Sequence, residues 1–77
     1  MLNSLIPQAR EVALREAPGR PVVMLSPVPV KVRSIIGNAL AYTVTHILVE
    51  SYDGGEYAVG WEASWLVRRA PEDSPGK

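Results

Sequence analysis

Apolar side chains recur at Leu5, Ile6, Ala9, Val12, Ala13 and Ala17, close to the i, i+3, i+4, i+7 spacing of one helix face, before the period of the chain changes. The spacing predicts an amphipathic helix over residues 4–17. Asn3 or Ser4 can cap its start, Pro7 falls in the first turn where a missing N–H costs little, and Pro18-Gly19 ends it. Glu11 and Arg15 stand four apart in the favourable order, and Gln8, Arg10 and Glu16 supply the wet side.

Beyond Gly19 the period shortens to two. Pro21 to Leu25 reads as a short strand, whereas Ser26-Pro27-Val28-Pro29 predicts a sheet edge or a loop, because neither proline can donate to a ladder. Val30, Val32 and Ile36 alternate with Lys31, Arg33 and Ile35 up to Gly37-Asn38, a dipeptide suited to a tight hairpin turn. Strands over residues 30–36 and 40–51 are expected to pair across it. Asp53-Gly54-Gly55 closes a second hairpin, Glu62 to Trp65 is short enough for one 3₁₀ turn, and Leu66 to Arg69 returns as a last strand. Pro71 to Lys77 contains no apolar residue and reads as a frayed tail.

The ribbon from Tyr42 to Tyr52 is apolar in both phases. Tyr42, Val44, His46, Leu48, Glu50 and Tyr52 share one face, and Thr43, Thr45, Ile47, Val49 and Ser51 the other. A strand of this kind is covered on both sides. The helix can cover one side only, so the second cover must be the curl of the sheet or another subunit. Two registers remain open for the second hairpin. A three-residue turn places Trp61 with Ile47 and Val49, while a two-residue Gly54-Gly55 turn places it opposite Leu48.

The order of elements, with Glu56-Tyr-Ala-Val-Gly-Trp61 followed by Trp65-Leu-Val-Arg-Arg69, resembles an SH3-like small barrel over residues 21–69. The resemblance implies a mainly β fold with one N-terminal helix, the barrel being five-stranded and antiparallel. It divides the chain into a helix over 1–19, a barrel over 20–70 and a disordered tail over 71–77. In length the chain is also similar to the plasmid-borne type II dihydrofolate reductases, whose pore is lined by a Val-Gln-Ile-Tyr segment and a nearby lysine. No such segment occurs here, and Ser34 follows Arg33 where a lysine would be needed. That activity is therefore not carried over.

Composition narrows the function more than it defines it. A 77-residue chain leaves roughly 40% of its extended surface exposed after folding, and a core of this size rarely supplies more than about 3–5 kcal/mol. Association with another chain is one remedy. Disulfides are excluded by the absence of cysteine, and a four-ligand zinc site is excluded by a single histidine. No metal or cofactor is expected. Eight basic residues balance eight acidic ones, so no global field draws the chain to nucleic acid. No apolar run reaches a membrane span, and a cytoplasmic location is expected by default.

His46 is the one side chain with an ordinary pKa near neutrality, but no nucleophile accompanies it in a recognisable motif. A hydrogen-bonded strand histidine accounts for it better. Glu50, Asp53, Glu56 and Glu62 lack calcium-loop spacing, and turn polarity accounts for them. The remaining constellation is basic and aromatic. Lys31, Arg33, Arg68 and Arg69 converge if the last strand lies beside the first, and Tyr52, Tyr57 or Trp65 would then provide a stacking or docking surface.

Three readings follow. A non-enzymatic protein-interaction module, self-associating or docking on a larger protein through Tyr52, Tyr57, Trp65, Arg33, Arg68 and Arg69, accounts for most of the pattern. A nucleic-acid-binding barrel using the same cations is the second. The third is a small oligomeric enzyme in which symmetry brings copies of His46 or Tyr57 to a shared site.

Overall fold

The computed structural model describes the backbone of residues 2–70 and the side chains of 6–52 and 54–70, so the expected tail over 71–77 lies outside the described residues. One helix, α1 (Leu2–Arg15), precedes five strands and a 3₁₀ turn. The strands are β1 (Val22–Val32), β2 (Ile35–Tyr42), β3 (His46–Asp53), β4 (Glu56–Ala63) and β5 (Val67–Arg69), with the 3₁₀ turn Ser64–Leu66 before β5. All pairings are antiparallel, and the sheet order is β4-β3-β2-β1-β5. The sheet curls into a half-barrel, and the chain is mainly β with an N-terminal helix.

The helix begins ahead of its expected Asn3 or Ser4 cap and stops at Arg15. Pro7 therefore lies inside the helix, and the bond its missing N–H would make to the Asn3 carbonyl is not formed. At the other end Glu16 N–H donates to the carbonyls of Val12 and Ala13, both at 3.1 Å, tightening the last turn. The Arg15–Glu11 pair forms at 3.3 Å on the open surface.

The first hairpin differs from the expected one. Its turn is Arg33-Ser34, with Arg33 at φ 58°, and Val32 faces Ile35. Gly37-Asn38 instead lies within β2, where Gly37 faces Ser51. A Cβ on Gly37 would run into the Glu50 carbonyl oxygen, so this glycine allows close backbone approach rather than a turn. The expected break at the prolines is partly present. β1 runs through them, but its register with β2 shifts between Val23 and Val28, where pairing resumes with Val28 opposite Ala39 and Pro29 opposite Asn38.

The expected 40–51 strand is divided. Thr43-Val44-Thr45 forms a tight connection between β2 and β3, with the buried Thr43 hydroxyl accepting from the N–H groups of Thr45 (3.2 Å) and His46 (3.0 Å). A threonine oxygen standing in for a backbone acceptor is a turn device that strand propensity conceals. The second hairpin uses Gly54 and Gly55 at φ 67° and 85°, a two-residue turn, and Leu48 faces Trp61.

β3 is sheltered on both sides. Leu48, Val49 and Glu50 are consecutive and retain 0%, 9% and 5% of their exposure, so burial reaches both phases of the strand. The concave side holds Val30, Val32, Ala39 and Val49, joined by Met24, Val28, Ile47 and Val67. The convex side holds Ala13, Ala41 and Leu48 under α1, joined by Leu14, Leu40, Val59 and Trp61. The second cover is thus the curl of the sheet.

Candidate functional site

Two polar regions of the convex face differ in how they are built. Under α1, Glu50 projects from β3 into a site that would be costly for a lone carboxylate. Arg10 donates from Nε and Nη2 to Oε1 at 2.9 and 2.7 Å and from Nη2 to Oε2 at 2.8 Å, and the Tyr57 hydroxyl donates to Oε1 at 3.0 Å. Nearby, the Trp61 indole N–H donates to the Ala13 carbonyl at 2.7 Å. The Glu50 hydrogen bond holds the Arg10 guanidinium above its ordinary pKa against a smaller opposing effect of burial. Tyr57 is also raised, first by burial and then by its bond to Glu50, with Arg10 opposing. These contacts fasten the helix to the sheet.

The other region lies where β5 returns beside β1. Lys31 faces Arg68 in the β1–β5 ladder, and the Arg33 turn and the 3₁₀ turn meet at the same end. Lys31, Arg33, Trp65, Leu66 and Arg68 line an open groove of about 360 Å³, with no carboxylate in its lining among the described residues. Trp65 is 79% exposed. Among the described residues, none of Lys31, Arg33, Arg68 and Arg69 takes part in a salt bridge. Arg33 also borders a concave cleft of about 210 Å³ whose far wall includes Gly60 and Glu62.

The six residues singled out from sequence divide accordingly. Arg33, Trp65 and Arg68 come together, with Lys31 among them. Arg69 faces the buried Val30 and so falls in the opposite phase from Arg68, away from the groove lining. Tyr52 and Tyr57 pack together near the β3–β4 turn, with ring centroids 5.2 Å apart and planes at 60°. Tyr57 is committed to Glu50, whereas Tyr52 is 58% exposed.

Ile36 is an addition that sequence reasoning missed. It faces Lys31 and is exposed, and the next residue, Gly37, faces Ser51, so the row Arg68, Lys31, Ile36, Tyr52 crosses the sheet on one face. The misplaced Gly37-Asn38 turn concealed this position, because it put Ile36 at a hairpin end instead of within a ladder.

His46 shows a local structural role. Its Nδ1 lies 2.7 Å from the Thr45 hydroxyl and its backbone is tied to Thr43, while Ala63 faces it across the ladder. Among the described residues, no three His, Cys, Asp or Glu side chains gather to hold a metal ion, and no helix is long and apolar enough to cross a membrane. No protein-family model, curated protein or solved structure matches the chain.

Proposed function

We propose that this chain is a non-enzymatic interaction module of the SH3-like small-barrel type, docking on the acidic surface of a larger partner through the outer side of β1 and β5. The observation that carries this reading is Trp65, 79% exposed in a groove whose charged residues, Lys31, Arg33 and Arg68, are all cationic. A tryptophan gains more from burial than almost any other side chain, and partly exposed tryptophans flanked by arginine are typical anchors of binding surfaces.

The backbone supports the same assignment. Arg33 holds φ 58°, a conformation that costs a residue with a Cβ about 1–2 kcal/mol and glycine almost nothing. The two-residue turn demands that φ, and with arginine rather than glycine in it the turn also adds a cation to the groove. Self-association has less support, since the curl of the sheet already covers the second side of β3. Its remaining motive is the unpaired outer edge of β4, eight residues long.

Nitrogen-15 NMR titration with oligoglutamate and with oligothymidylate, each at about one Debye length of screening or longer, tests the docking reading. The Trp65 indole and the amides of 31–36 and 64–69 are expected to shift with at least one probe. No response there to either polyanion overturns the reading.

A further inference from the structure

We infer that the partner of this groove is single-stranded nucleic acid, its phosphates held by Lys31, Arg33 and Arg68 and an unpaired base stacked on Trp65. The inference rests on the docking reading and names the partner of the same site.

Charge distribution comes first. The chain is formally neutral, but Glu56 and Glu62 lie on β4 while Lys31, Arg33, Arg68 and Arg69 lie on or between β1 and β5. β4 and β5 are opposite edges of the sheet. A polyanion meets the local field of the groove rather than the average over the chain, and among the described residues every charged side chain lining that groove is cationic.

The aromatic geometry then selects among polyanions. A carboxylate-rich peptide would satisfy the cations and leave the indole face without a flat counterpart. A nucleotide supplies both groups, a phosphate for the fork of an arginine and a base for the ring. Duplex is disfavoured because its bases are already stacked and paired.

The row Arg68, Lys31, Ile36, Tyr52 extends the track beyond the groove. It crosses three strand spacings, about 14 Å, and ends on the exposed Tyr52 ring as a second stacking platform. The apolar Ile36 lies between the cations and that ring. A short extended strand can thus contact cations, an aliphatic step and a second aromatic along one face.

Fluorescence anisotropy of a labelled oligothymidylate on the full chain tests this, with a duplex of equal length and a labelled oligoglutamate as comparisons. At about 50 mM salt the single strand is expected to bind, and log Kd to rise against log salt with a slope of about 2 for three phosphate contacts. Trp65→Ala should weaken binding roughly tenfold, and Tyr52→Ala should weaken it less. Both side chains are exposed, so circular dichroism should show unchanged folding. The inference is overturned if the single strand fails to bind, if Trp65→Ala leaves its affinity unchanged, or if duplex binds as tightly. Oligoglutamate binding at this surface without oligothymidylate binding removes the inference and leaves the docking reading standing. Binding of neither removes both.

Discussion

Trp61 and Trp65 lie four positions apart, the first in β4 and the second within the 3₁₀ turn that follows it, and the chain treats them in opposite ways. Trp61 packs beside Leu48, and its N–H is taken up by the Ala13 carbonyl at 2.7 Å. Trp65 stands out among three cations. Around Trp61 the charged and polar groups answer one another: Arg10 and Tyr57 satisfy Glu50, and the helix is fastened by them. Around Trp65 the cations have no acidic counterpart in the lining among the described residues. One region spends its polar chemistry on holding the fold, and the other leaves it available.

The contrast predicts which substitutions disturb stability. Leu48→Ala removes the fully buried side chain between helix and sheet and should lower unfolding free energy by about 2–5 kcal/mol. Trp65→Ala should change it by less than about 0.5 kcal/mol. Urea titrations of the two variants, each against the parent chain, compare the two losses. A large loss from Trp65→Ala would mean that the groove is structural.

Arg10→Met leaves the Glu50 carboxylate buried without its cation and should cost about 1–3 kcal/mol, less than for a fully buried pair because Arg10 is 41% exposed. Adding Glu50→Gln should restore part of that loss, because a neutral amide tolerates the site better than an unpaired anion. Equal losses in the single and double variants would show that the helix is held by packing alone.

The pH response of Tyr57 has a definite sign. Its folded pKa lies above the ordinary tyrosine value of about 10. The associated stabilisation is present below that value and lost as pH rises through the folded pKa, when the hydroxyl would become a phenolate beside Glu50. Arg10 shifts in the same direction but from a higher starting value, so its contribution falls away at still higher pH. Urea midpoints should therefore decline above about pH 10, and Tyr57→Phe should flatten part of the decline. A Tyr57→Phe profile identical to the parent would assign the alkaline loss elsewhere.

The smallest effect is expected at Arg33. Replacing it with glycine relieves φ 58° and should be neutral or stabilising by up to about 1 kcal/mol, while oligothymidylate binding weakens. Stability and binding moving in opposite directions at one residue would separate the two regions sharply.

Local chemistry decided how much of this was legible. The helix stripe, the hairpin at Asp53 to Gly55, the 3₁₀ turn and the return strand can be read because periodicity and glycine pairs act over a few residues, but the register of that hairpin, which places Trp61 opposite Leu48, is settled only by the structure. The demand for two covers over Leu48, Val49 and Glu50 was readable too, as both phases are apolar around them. The Arg33 turn was hidden because an arginine in the left-handed region breaks the usual preference, and Gly37-Asn38 offered a more conventional turn four residues later. Thr43 ends a strand that the β-branched residues around it predict to continue. The Arg10–Glu50–Tyr57 cluster joins residues 40 and 7 positions apart, which no window reveals. Convergence of Lys31, Arg33 and Arg68 was conditional on β5 lying beside β1, and that long-range pairing is present.

Collisional quenching of tryptophan fluorescence by ions of opposite charge tests the division between the two tryptophans most directly. Lys31, Arg33 and Arg68 should concentrate iodide and repel caesium at Trp65, while Trp61 answers weakly to both. The account predicts strong quenching by iodide, weak quenching by caesium, and loss of that difference in Trp65→Phe. Equal quenching by the two ions, or a difference that survives in Trp65→Phe, would contradict it.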